Sequence, residues 1–220
     1  MRLRWCAAGK FAVEEANHLI GEIRQRMPPA DKTFLKTPTG ARLTYGGLMA
    51  LCARQARALV ALGLRPGDRV ALQVEKSIEA LVLYLSVVRS GGVFLPLNPA
   101  YTPGEVAYFL RDAEPRILIC DPAKRDALGH AAEEAGVEHV ETLDGMGAGT
   151  FADLVEQKSD DFPDVARGPD DLAALLYTSG TTGRPKGAML SHENLASNAR
   201  TLVSTWAFNA DDVILHALPI

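Results

Sequence analysis

The chain has 220 residues, 47% of them hydrophobic and 23% charged, which is ordinary globular composition with enough apolar mass for a core. A net charge of -4 leaves no basic surplus for nucleic acid, and Cys6, Cys52 and Cys120, odd in number and far apart, fit neither a zinc spacing nor a disulfide framework. The longest apolar run, residues 80–88, is too short to span a bilayer, and the opening MRLRWCAAGK lacks the apolar core of a secretory signal, so a reducing cytoplasm is the expected setting.

The first 30 residues read as peripheral, with Pro28 and Pro29 ending a helix begun near Glu14. A helix is predicted over residues 45–62, where Leu48, Leu51, Cys52, Ala56, Leu59 and Val60 recur at helical spacing. Thr44 caps its start and Gly63 ends it, while Gly46 and Gly47 weaken its first turn. RVALQV (residues 69–74) reads as a strand. Ser77 then caps a helix running to Arg89 that is apolar nearly all round, and therefore buried. Gly91 and Gly92 stop it before the strand VFLPL. The pattern repeats: helix over 102–112, strand RILIC over 116–120, helix over 122–135, strand over 137–142. Strands alternating with helices give an α/β fold: βαβ units forming mainly parallel sheets covered by helices.

Residues 160–171, DDFPDVARGPDD, read as a linker, so residues 1–165 are expected to form a first lobe and residues 166–220 to start a second. LAALLY follows as a buried strand, and GAMLS as a possible returning strand. Ser191 caps a helix with Leu195, Ala199, Leu202, Val203 and Trp206 on one face, and VILHAL from Val213 is expected as a final strand. GMGAGT (residues 145–150) lacks the dinucleotide-binding spacing and reads as a flexible surface loop.

Between LAALL and GAMLS lies YTSGTTGRPKG, residues 177–187. Glycines permit positive φ and turn successive amides toward one point, making a nest for an anion. Hydroxyls of Thr178, Ser179, Thr181 and Thr182 add donors, and Lys186, with Arg184 nearby, adds positive charge. That donor set suits a polyphosphate. The spacing is not the Walker pattern, because Gly180 is followed five places on by Pro185, where a second glycine is required, and Lys186 is followed by Gly187. The histidines His18, His130, His139, His192 and His216 show no metal-ligand spacing, and no metal ligand is assigned. His216 is expected in the core and His192 at the surface; Cys120 is expected in the core.

Residues 178–187 resemble the signature loop of the adenylate-forming superfamily, matching every position of its T-S-G-T-T-G-x-P-K-G pattern. LTYGGL (residues 43–48) is similar to that superfamily's L-T-Y-x-E-L opening, with Gly47 in place of the usual glutamate and a looser helix start implied. Within the superfamily, EKSIEALVLYL, GGVFLPLNPAYT, LSHENLASN and DDVILHALPI look most like malonyl-CoA synthetases.

The resemblance implies a partial N-terminal domain of an ATP-dependent acid–CoA ligase, acting through an acyl-adenylate and then a CoA thioester. ATP with Mg2+ and CoA are the implied co-substrates, and malonate the favoured carboxylate. A medium-chain fatty acid or an aryl acid is the alternative, and a non-catalytic remnant that binds nucleotide or a partner is a third reading. Thr178, Ser179, Gly180, Thr181, Thr182, Gly183 and Lys186 are the implied phosphate contacts, with Lys186 the catalytic cation. The family's motifs for adenine, for CoA and for the acyl group are not found in these residues, so the chain by itself is expected to be inactive and prone to associate.

Overall fold

A computed structural model describes residues 17–178 and 185–216 of the chain. In chain order the elements are α1 (His18–Gln25), β1 (Thr33–Lys36), β2 (Arg42–Thr44), α2 (Tyr45–Ala61), β3 (Arg69–Gln73), α3 (Ile78–Arg89) and β4 (Val93–Pro96). Then come α4 (Pro103–Ala113), β5 (Ile117–Cys120), α5 (Arg125–Glu134), β6 (His139–Thr142), α6 (Thr150–Glu156), β7 (Leu172–Thr178), β8 (Lys186–Ser191) and α7 (His192–Thr205). A short 3-10 turn, Pro122–Lys124, leads into α5.

Local chemistry sets the helix ends. Thr44, Ser77, Thr102 and Ser191 each accept a backbone N–H of the first turn of α2, α3, α4 and α7, and Thr102 with Glu105 forms a reciprocal capping box. The Thr44 cap, bonded to the Gly47 amide at 3.0 Å, holds the start that the missing glutamate was expected to loosen. At the other end of α2, Gly63 takes φ +83°, letting the Leu64 amide return to the Leu59 carbonyl at 3.1 Å.

Six strands form one sheet in the order β6-β5-β3-β4-β7-β8. All pairings are parallel except β7 with β8. Alternation along each strand separates two faces. Val70, Leu72, Phe94, Ile117, Ile119 and Ala174 face α2, α3 and α6. Ala71, Leu95, Leu118 and Cys120 face α4 and α5. The expected α/β architecture of parallel βαβ units is therefore present. β7, in the segment expected to open a second lobe, joins this same sheet through Phe94↔Ala174.

The structure corrects several expectations. Residues 160–171 pack as a strap: Phe162 sits against Ala53 and Ala56 of α2, and the buried Arg89 guanidinium bonds Asp164 and the Phe162 carbonyl. The Val165 amide returns to the Arg89 carbonyl at 3.0 Å. GMGAGT is a surface turn tied to Asp144, whose Oδ1 accepts the Met146 and Ala148 amides, and Thr150 there starts α6, a helix the sequence reading did not contain. The hairpin β1–β2 was likewise not anticipated. On α7 the buried residues are His192 and Ala196, while Val203 and Trp206 of the expected apolar face are exposed. Residues 213–216 form no strand, and Val213 and Leu215 are almost fully exposed.

Candidate functional site

β7 runs parallel to its neighbour, so its carboxyl end, Thr178, lies at the edge where open α/β sheets bind ligands. β8 then returns antiparallel, and the register pairs Thr178 with Lys186 and Tyr177 with Gly187. Directly opposed residues of an antiparallel pair project to the same face, so Thr178 and Lys186 stand side by side at the mouth of the glycine-rich loop. Both are exposed. Thr178 Oγ1 donates a 3.4 Å bond to the Lys186 carbonyl. Among the described residues the Lys186 ammonium has no hydrogen-bond or ion-pair partner, which leaves its charge available to an anion. Ser179, Gly180, Thr181, Thr182 and Gly183 lie outside the described residues, as does Arg184.

The opposite face of the hairpin rests on α4. Tyr177 projects there with Leu175, and its ring packs on Phe109 at a centroid distance of 4.5 Å. Gly187, across from it, leaves that space open: a Cβ there would stand 3.0 Å from Leu175 Cδ1 and 3.4 Å from Tyr177 Cε1. The Tyr177 hydroxyl donates to Asp112 Oδ2 at 2.5 Å, and the Tyr108 hydroxyl donates to the Pro185 carbonyl at 3.2 Å. Burial, followed by the Asp112 carboxylate, raises the Tyr177 phenol well above the ordinary tyrosine range. The sequence reading assigned no role to Tyr108, Asp112 or Tyr177. The available signal was the four-residue spacing of Tyr108 and Asp112, which puts both on one face of α4.

The histidines are placed differently from expectation. His192 is fully buried, contrary to the surface position predicted, because α1 packs on the start of α7. Its Nδ1 accepts the Leu19 amide at 3.4 Å, and its buried Nε2 has no partner among the described residues. Burial, with Arg167 nearby, lowers it to about 4. His216, predicted in the core, is exposed and takes two contacts from Lys76 Nζ, at 2.8 Å to Nδ1 and 2.7 Å to its carbonyl. Cys120 is buried as predicted, and desolvation pushes its thiol to about 11, which makes it a poor nucleophile. Among the described residues no group of three or more His, Cys, Asp or Glu side chains gathers to hold a metal ion. No helix among them is long and apolar enough to cross a membrane.

A cation and a hydroxyl at the mouth of a glycine-rich loop, on the carboxyl edge of a parallel sheet, can bind and neutralise a phosphate chain. Residues 22–220 match the family described as AMP-binding enzyme. The chain is 34% identical to the long-chain-fatty-acid–CoA ligase FadD13 of Mycobacterium tuberculosis, over 90% of this chain and 40% of that protein. It is 31% identical to the oxalate–CoA ligase of Arabidopsis thaliana, over 92% of this chain and 40% of that protein. Among solved structures, ATP-bound MatB from Rhodopseudomonas palustris superposes with a TM-score of 0.89 at 53% identity, covering 92% of this chain and 40% of that one. The chain thus spans about 40% of the length of these relatives.

Proposed function

This chain belongs to the AMP-binding enzyme family, and from that premise we propose that it is the phosphate-binding part of an ATP-dependent acid–CoA ligase. The observation that carries the reading is the pairing of Thr178 with Lys186 at the mouth of a TSGTTGRPKG loop. In this reading Thr178, Ser179, Gly180, Thr181, Thr182, Gly183 and Lys186 bind the β- and γ-phosphates of Mg-ATP. A carboxylate attacks the α-phosphorus and pyrophosphate leaves. The Lys186 ammonium stabilises charge that builds on the leaving group, a term that acts in the adenylation step and not in the later transfer to CoA. Mg2+ enters with the nucleotide as substrate, and CoA accepts the acyl group. The division near residue 165, with the loop opening a second lobe, and a cytoplasmic setting belong to the same reading.

Malonate is the favoured carboxylate. Supporting it are the likeness of EKSIEALVLYL, GGVFLPLNPAYT and LSHENLASN to malonyl-CoA synthetases and the 53% identity to MatB. A second reading, a ligase for fatty or aryl acids, is favoured by the relatives named for long-chain fatty acids and for feruloyl-CoA, the latter 36% identical. Release of AMP in the protein carrying these residues, assayed with malonate, methylmalonate, acetate, octanoate and ferulate in parallel, tests the choice. Preference for malonate is expected; faster turnover of octanoate or ferulate selects the second reading, and no AMP with any acid rejects both.

A further inference from the structure

We propose that Tyr108 and Asp112 of α4 are positioning residues that fix the separation of Thr178 and Lys186. The inference rests on the reading of residues 178–187 as a phosphate-binding loop and assigns how its two stems are held. Tyr177, next to Thr178, is bonded to Asp112 at 2.5 Å; Pro185, next to Lys186, is bonded to Tyr108 at 3.2 Å. One helix therefore grips the residue adjoining each phosphate contact. The two side chains are four residues apart on α4, so they rise from one helix face one turn apart.

The grip comes from the far side of the hairpin. Tyr177 faces α4, while Thr178 and Lys186, one residue further along each strand, project to the other face. Neither hydroxyl bond competes with the anion for the Lys186 charge. The rings and the hydroxyls also divide the work. Tyr101, Tyr108, Phe109 and Tyr177 form a contiguous ring cluster, with neighbouring centroids 4.5 to 6.5 Å apart, which holds α4 against the sheet. Asp112 is exposed and Tyr108 half-buried, so water could satisfy either polar group if its bond were lost. These bonds therefore add little to stability and act chiefly on geometry. Phosphate binding by fixed donors is sensitive to that geometry, because donors already in place need no ordering when the anion arrives.

The test uses variants that keep the rings: Tyr108→Phe, Tyr177→Phe, Asp112→Ala, and Asp112→Asn, which retains an oxygen acceptor. Affinity for magnesium pyrophosphate and Mg-ATP is measured by calorimetry in the protein carrying these residues, with the thermal midpoint of the ligand-free form alongside. Each of the first three variants is expected to bind about fivefold more weakly, with a midpoint within about 2 °C of the parent, and Asp112→Asn to bind within about twofold of it. A parent that binds pyrophosphate alongside Tyr108→Phe and Tyr177→Phe variants that bind equally well overturns the positioning role and leaves the functional reading standing. Affinity that falls only together with the midpoint, with no rescue by Asp112→Asn, makes the residues structural and also overturns it. A parent that binds no pyrophosphate removes the functional reading and this inference together.

Discussion

Strands β3 to β6 and strands β7 to β8 belong to one sheet but differ in how they are finished. In the first group Val70, Ala71, Ile117, Leu118, Ile119 and Cys120 are wholly buried, and helices cover both faces. In the second, Met189 is 67% exposed, and Trp206, at the cap that ends the adjoining α7, is 62% exposed. The clusters around the first group draw their buried residues from between Leu48 and Val155, with Ala174 of β7 as the buried contribution of the second group. The second presents the stems of the glycine-rich loop and a run of apolar side chains to the surroundings. Large apolar side chains exposed to this degree are suited to being covered. The residues read as functional therefore sit on the part of the sheet whose packing is least complete, while the part with most buried area holds it in place.

Amide exchange gives the largest expected contrast. Amides of residues 69–120 should exchange at least about a thousandfold more slowly than those from residue 186 onward, because the latter open locally without unfolding the core. Sedimentation of residues 1–220 by themselves should show oligomers, with the apolar edge as the contact surface. Slow exchange throughout and a single monomer species would erase the contrast between the two halves. Substitution comes next. Ile119→Ala should cost about 4 kcal/mol in denaturant unfolding, as a buried branched side chain leaves a cavity. Met189→Ser at the exposed edge should stay within about 0.5 kcal/mol. Similar losses at the two positions would mean that β8 is covered after all.

Function should follow the opposite distribution. Lys186→Ala, harmless to the fold, should slow adenylate formation about a hundredfold, roughly 3 kcal/mol. Thioester formation from pre-made acyl-adenylate should change little; an equal fall in both steps removes the assigned role. A last effect, confined to acid pH, concerns His192, a residue of the second region as buried as the core of the first. Its folded value lies near 4, below the ordinary 6.5, so the unfolded chain binds the proton more readily between those values. Stability is then full above about pH 6.5, falls as pH drops toward 4, and levels off below, losing at most roughly 3 kcal/mol. The groups facing it are Arg167, Asp171 and His18. His192→Leu should flatten the slope in that window; an unchanged slope would place the acid sensitivity elsewhere.

Legibility in the sequence followed the same divide. Caps at Thr44, Ser77, Thr102 and Ser191, and strands read from RVALQV, RILIC, LAALLY and GAMLS, are local patterns; the caps are where the residues place them and the strand ends agree to within one residue. α6 escaped notice because seven residues, with only Phe151 and Val155 buried, carry too little periodicity. His192 was misplaced because its burial comes from α1, more than 170 residues earlier in the chain. VILHAL reads as a strand by composition, but a strand needs a neighbour, and residues 213–216 have none among the described residues. At the site, the loop itself was legible from its residue types. The grip of α4 was not, because it joins positions 65 and 77 residues apart.

The pairing of Phe94 with Ala174 has a consequence for the order of synthesis. A ribosome makes β3 to β6 before it reaches β7, so the edge of β4 has no partner until residue 172 and beyond emerge. During that interval a nascent chain carries an open parallel edge, the kind of surface that recruits other chains. Two features shorten the hazard. β4 is only 4 residues long, and its last residue, Pro96, has no N–H to offer a stray strand. The strand that leads into the glycine-rich loop is thus also the one that seals the growing sheet.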